Sequence, residues 1–154
     1  MKTLNIIIIL GLVMSFCAAA QAAETPRVAT ITEIKGKVEM QTGEGPWMPA
    51  QIGMILNQGD TIRTMDESYA ILNVDGTAET ASVEVKQKSN LKLAMLIQDK
   101  EAATQNTLLD LAIGEVLIKA RKLHSDKSKF EVKTPTSIVG VRGTTFSVTV
   151  EAVE

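Results

Sequence analysis

From Val28 onward the chain predicts an all-β domain, an antiparallel β-sandwich of about ten short strands. Three observations carry that expectation. Short segments rich in Val, Ile and Thr follow one another, Gly, Asp and Asn punctuate them, and the spacing of an amphipathic helix is nearly absent.

The segments run, in order, from Ala29 to Glu33, Lys37 to Gln41, Asp60 to Thr64, Tyr69 to Val74, and Glu79 to Lys86. Later ones span Leu91 to Ile97, Thr107 to Ala112, Glu115 to Lys119, Lys129 to Lys133, and Thr145 to Val150. Alternation is plainest where Ala70, Leu72 and Val74 fall on one face and Tyr69, Ile71 and Asn73 on the other. Reversals are expected at Gly36, at Thr42 to Gly45, at Asn57 to Gly59, at Asp75-Gly76 and at Gly114. Glycine accepts positive φ, and a preceding Asp or Asn bonds its own backbone, which makes Asp75-Gly76 the best hairpin signal. Strands this short bury an apolar face only against a second layer, hence the sandwich. Asp99 to Ala103 lacks β-branching and fits either a helical turn or a polar hairpin loop.

The N-terminus has another texture. Lys2 precedes an apolar run from Leu4 to Phe16, followed by Ala20-Gln21-Ala22. A basic start, an apolar stretch of about 15 residues, too short for a roughly 20-residue span, and a small-x-small site make a secretory signal peptide, with cleavage placed after Ala22. Acylation at Cys17 is disfavoured by bulky Phe16 before it, and an uncleaved anchor is the other alternative. The expected division is a signal peptide over 1–22, a short linker over 23–27, one domain over 28–150 and a tail over 151–154. No membrane span remains after cleavage.

Cys17 is the only cysteine and leaves with the signal peptide, so disulfides, cysteine metal sites and thiol catalysis are not expected of the exported part. Losing Lys2 but no acidic residue leaves the remainder net acidic, which argues against a nucleic-acid partner. No cofactor or metal site is expected either. His124 is the only histidine and lies in a polar loop, without a second to complete a catalytic or metal site. Ser89-Asn90-Leu91-Lys92 spells S-x-x-K at the start of a strand, where that chemistry needs a helix. Gly140-Val141-Arg142-Gly143 spells GXXG between β-branched neighbours, not between the helices of a KH domain.

Longer patterns join these pieces: Gly59-Asp60-Thr61-Ile62-Arg63-Thr64, Asp75-Gly76-Thr77, Ser89-Asn90-Leu91-Lys92-Leu93, and Leu109-Asp110-Leu111 with Gly114-Glu115-Val116. The most specific is Val132-Lys133-Thr134-Pro135 followed by Gly140-Val141-Arg142-Gly143-Thr144-Thr145-Phe146-Ser147-Val148. In this order and spacing, over about residues 28 to 150, the chain resembles the FecR domain family of bacterial envelope proteins and FecR-type sigma regulators. The resemblance implies a jelly-roll-like sandwich with no catalytic activity of its own. Such regulators carry a cytoplasmic segment before a membrane span and further sequence after the domain, whereas three residues precede Leu4 and four follow Val150. The expectation is therefore a stand-alone exported domain.

Most of the motif residues read as structural. Gly59 and Asp60 form a turn into a strand, with Asp60 accepting backbone N–H groups. Pro135 ends a strand after Thr134, and Gly140 and Gly143, with Thr144, mark a bend or bulge. Arg142 in that bend has two readings, a strut to Asp60 or Asp75, or an exposed grip on an anionic partner. Positive charge gathers at Lys119, Arg121, Lys122, Lys127 and Lys129, which either blunt a hairpin end or dock an acidic protein face or anionic envelope polymer. Trp47, between Pro46 and Pro49 in a loop, is the one exposed aromatic platform for a sugar ring. The sequence thus predicts a non-catalytic envelope interaction module. A periplasmic component of FecR-type signalling and a weak carbohydrate or polymer binder are the alternatives.

Overall fold

Where the sequence alternates, the chain extends, and the extended segments join into one curled sheet. The computed structural model describes residues 24–75, 80–121 and 126–151, which form thirteen strands and no helix. They are β1 (Glu24–Pro26), β2 (Ala29–Lys35), β3 (Val38–Gln41), β4 (Trp47–Pro49), β5 (Ile55–Leu56), β6 (Thr61–Thr64), β7 (Tyr69–Val74), β8 (Ala81–Val85), β9 (Asn90–Asp99), β10 (Thr104–Ala120), β11 (Lys129–Lys133), β12 (Ile138–Val141) and β13 (Thr145–Val150). The segment 1–22, Gly76, Lys122, His124 and residues 152–154 lie outside the described residues.

One strand organises the rest. The two strands expected on either side of Gly114 are a single strand, β10, of 17 residues. Its first half pairs antiparallel with β9 and its second half antiparallel with β8 and β13. Around it the sheet runs β4-β3-β6-β9-β10-β8-β7-β2-β5. The facing layers that the apolar faces demand are therefore two leaves of one hydrogen-bonded sheet, where the sequence suggested two separate sheets.

The fold between the leaves is made at Gly114. Its φ is +97°, and a Cβ there would stand 2.2 Å from the Ser89 Oγ and 2.5 Å from the Ser89 Cα. The pairing of β9 with β10 slips in register between Leu111 and Ile113, just before the bend. Ser89 stitches the corner, its hydroxyl accepting from the Glu115 N–H at 2.9 Å with the Gln87 carbonyl of the preceding turn at 3.1 Å and the Glu115 carbonyl at 3.2 Å in reach of its own hydrogen. Glycine alone supplies this conformation without strain, and any side chain would strike a buried neighbour.

Between the leaves lies one core. Ile62, Leu91, Leu93, Leu109, Leu111, Phe130 and Val132 enter it from one leaf, and Ile31, Leu72, Val83, Val116 and Ile118 from the other. Each such side chain contributes about 1.5–3 kcal/mol on full burial, so the alternation of each strand is what holds the leaves face to face.

Several expectations need correction. The β10–β11 pair is parallel, from Asn106↔Lys129 to Asp110↔Lys133, and not antiparallel. A parallel pair needs a long crossover, and here the second half of β10 is part of it. The stretch expected as a linker over 23–27 holds β1, paired to Ile97–Asp99 of β9, and the buried Arg27. The Asp99 to Ala103 stretch is the hairpin-loop alternative, closed by the Asp99 carboxylate accepting from the N–H groups of Glu101 and Ala102. Gly140 lies inside β12 opposite Glu131, and the positive φ of that region belongs to Gly143 at +69°.

Replacing Gly114 with alanine combines backbone strain with overpacking and is expected to destabilise the protein by on the order of 3 kcal/mol. A urea unfolding midpoint equal to that of the native chain would show that the corner does not depend on Gly114.

Candidate interaction surface

Because β10 bends back, both of its ends come to the same end of the molecule. The Arg121 N–H donates to the Thr80 carbonyl at 3.0 Å, the Thr80 hydroxyl lies 3.5 Å from the Gln105 side-chain oxygen, and the Gln105 N–H donates to the Ser128 Oγ at 3.0 Å. Residues 121, 105 and 128 are thus neighbours despite their separation in sequence.

An ion pair between buried Arg27 and half-buried Asp75 holds this end. The Arg27 Nε donates to Asp75 Oδ1 at 2.8 Å and its second guanidinium arm to Oδ2 at 2.5 Å, while Nη1 reaches the Thr107 hydroxyl at 2.9 Å. The Thr80 hydroxyl also bonds the Asp75 carboxylate. Asp75 sits at φ +67°, where the chain leaves β7. The strut foreseen between Arg142 and Asp60 or Asp75 is therefore built by Arg27, which no motif singled out. Its only signal was a charged residue directly before the first long apolar alternation. Asp60 does what its turn position implies, accepting from the N–H groups of Asn57 at 2.8 Å and Gly43 at 3.0 Å.

Five of the six expected basic contact residues lie among the described residues. Lys119 and Arg121 lie at the exit of β10, Lys127 and Lys129 at the entry to β11, and Arg142 in the β12–β13 bend; all five are exposed. The bend joins the two groups, since the Ala120 N–H donates to the Thr144 carbonyl at 3.2 Å while Arg142 Nη2 donates to the Asp126 carbonyl at 3.4 Å. Lys119 and Lys129 form no ion pair among the described residues. A shallow cleft of about 320 Å³ opens between Lys129, Glu131, Gly140 and Arg142. Nearby, the buried Asn106 side-chain oxygen has no hydrogen-bond partner among the described residues.

The other motif residues shape the surroundings. The Thr134 hydroxyl accepts from the Ser137 N–H at 3.0 Å and closes the turn that holds Pro135, while Gly59, at φ +95°, donates to the Leu93 carbonyl at 2.7 Å. Ser89 of the S-x-x-K string is spent on the Gly114 corner, and no group of three or more metal-ligating side chains occurs among the described residues.

Trp47 differs from its expected setting. It sits half-buried on β4 and not in a loop, with the Arg63 guanidinium 3.9 Å over its ring. Arg63 also pairs with Glu39 at 2.6 Å, which together with Lys37 holds the Glu39 carboxyl below the ordinary carboxylate value of 4.5. One ring face is thus taken by a cation, in a contact the spacing of Trp47 and Arg63 did not reveal.

Two outcomes are expected. Arg27→Met leaves the mostly buried Asp75 carboxylate without its cation, a loss of about 3 kcal/mol, and adding Asp75→Leu recovers part of it; a double variant no better than the single in urea unfolding would refute the strut. Because the folded-state value of Glu39 is lowered, the stabilisation from its pairing with Arg63 is fully present above pH 4.5 and is lost as pH falls through that lowered value. Trp47 emission is expected to change in that acidic window and to lose the transition in Glu39→Gln.

The comparisons complete the picture. A family model described as FecR protein matches residues 60–153, from just before β6 through β13. The match begins later than the resemblance suggested, so β2 to β5 lie outside it. No curated protein and no solved structure matches the chain. With the model covering more than half of the sequence and the Gly114 corner, the Thr134 turn and the Arg142 bend inside it, the chain belongs to the FecR protein family.

Proposed function

We propose that the protein is a non-catalytic interaction module of the cell envelope, exported by its 1–22 leader, that engages an anionic protein or polymer through the end bearing Lys119, Arg121, Lys127, Lys129 and Arg142. One observation carries this reading: the return of β10 gathers at one end cations that the sequence spreads over 24 positions, from 119 to 142. Lys119 and Lys129 stand on strands and the other three beside strand ends, and charges held near one another attract an oppositely charged surface at a lower ordering cost than charges scattered along a free chain. The Arg27–Asp75 pair keeps that end in shape beneath them.

Family membership favours a second reading, a periplasmic component of FecR-type signal transduction that uses the same end to meet its partner. Carbohydrate binding has less support, since the Trp47 ring already stacks on Arg63.

Neutralising the cations to glutamine tests the proposal. Native protein immobilised against envelope extract is expected to retain a partner that salt elutes, while the five-fold variant binds at least about tenfold more weakly and with a flatter salt dependence. Undiminished capture by the variant would remove this end from the mechanism. A receptor domain among the retained proteins would select the signalling reading.

A further inference from the structure

Residues Gly45 to Gly59 contain no charged side chain, in a chain where 22% of residues are charged. The segment holds β4 and β5, the two outer edges of the curled sheet, and the turn that brings them together. It exposes Met48 at 39%, Ile52 at 64% and Ile55 at 54%, half of the large exposed hydrophobics among the described residues. It also lies before the stretch matched by the family model.

The segment is tied down. The Ala50 N–H donates to the Val38 carbonyl at 2.9 Å, the Gly53 N–H to Ile31 at 2.7 Å, the Met54 N–H to Gln51 at 3.2 Å, and the Met54 carbonyl accepts from the Ile31 N–H at 2.9 Å. These bonds satisfy part of the turn's backbone and leave the rest to water and headgroups, and the segment carries no charge, so shallow insertion of its apolar side chains desolvates no ion. At its base stands Trp47 beside the Arg63 guanidinium, the pairing of an aromatic body with a polar rim that suits a bilayer interface. Ile55 also shares a cross-strand row with Thr30, Asn73, Ser82 and Lys119 on the outer face. Four strand spacings put Lys119 roughly 19 Å from Ile55.

We propose that the Met48–Ile55 segment docks the protein onto an anionic lipid bilayer, with Ile52, Ile55 and Met48 entering the acyl region and Lys119 meeting headgroup phosphates. Three side chains fall well short of the roughly 800 Å² per partner that a stable dimer buries, which argues against a second copy as the occupant. Reversible attachment to a bilayer needs only a small apolar insertion assisted by charge.

Trp47, the only tryptophan, reports on this segment directly. The apolar run from Leu4 to Phe16 can hold the full chain on a vesicle by itself, so the readout is Trp47 and not co-sedimentation. With vesicles of phosphatidylethanolamine and phosphatidylglycerol, Trp47 emission is expected to shift to shorter wavelength and to be quenched by brominated acyl chains. Ile52→Ser with Ile55→Ser, both at exposed positions, is expected to lower the partitioning that Trp47 reports by about tenfold while keeping the native urea midpoint. Ile52→Ser alone gives a smaller loss in the same direction.

Unquenched Trp47 in vesicle-bound native protein would overturn the proposal. So would a concentration-dependent dimer abolished by the same substitutions, which would assign the patch to a second copy. Equal partitioning into pure phosphatidylcholine would overturn the role of Lys119. Neither isoleucine belongs to the basic end, so failure here with envelope-partner capture intact leaves the proposed function standing.

Discussion

Ser89 and Gly114 approach more closely than any side chain at position 114 would permit, and the architecture hinges on that approach. With no Cβ at 114 in the way, β10 turns sharply at φ +97° while the Ser89 hydroxyl takes up the Glu115 N–H. Both halves of β10 then serve as central strands, one in each leaf, and a single core fills between them. Without the turn, β10 would be a straight ribbon whose two apolar faces had no opposite wall.

The same bend shapes the proposed interaction surface. It returns the exit of β10 to its entrance, makes β11 run parallel to the first half of β10, and sets the β12–β13 bend across the gap between leaves. Beneath the resulting basic end, the Arg27–Asp75 pair offsets the desolvation of two charges with bidentate geometry and further bonds from Thr80 to Asp75 and from Arg27 to Thr107. A mostly buried pair of this kind contributes to a defined arrangement more than to net stability, which suits the role proposed for the basic end above it.

At the sheet's outer edges a different solution appears. The turn between β4 and β5 joins the sheet's outer strands with a charge-free segment in which Met54 and Leu56 pack on the core while Ile52 and Ile55 face out. Edges of a sheet are commonly blunted by charge; here the edge is closed by a turn and left apolar.

The sequence by itself determined the all-β class, most strand positions, the Asp60 and Thr134 turns, and the family, because period-two alternation and turn chemistry are local properties of a few adjacent residues. Thr61–Thr64, Tyr69–Val74 and Lys129–Lys133 are legible for that reason. Only the tertiary structure decided that β10 is one strand, that Arg27 and not Arg142 meets Asp75, that Arg63 covers Trp47, and that cations 119 to 142 share an end. Those pairings join residues 16 to 48 or more positions apart, and which distant partner a charge or a ring finds is set by how the leaves close on their core, a property no local pattern encodes.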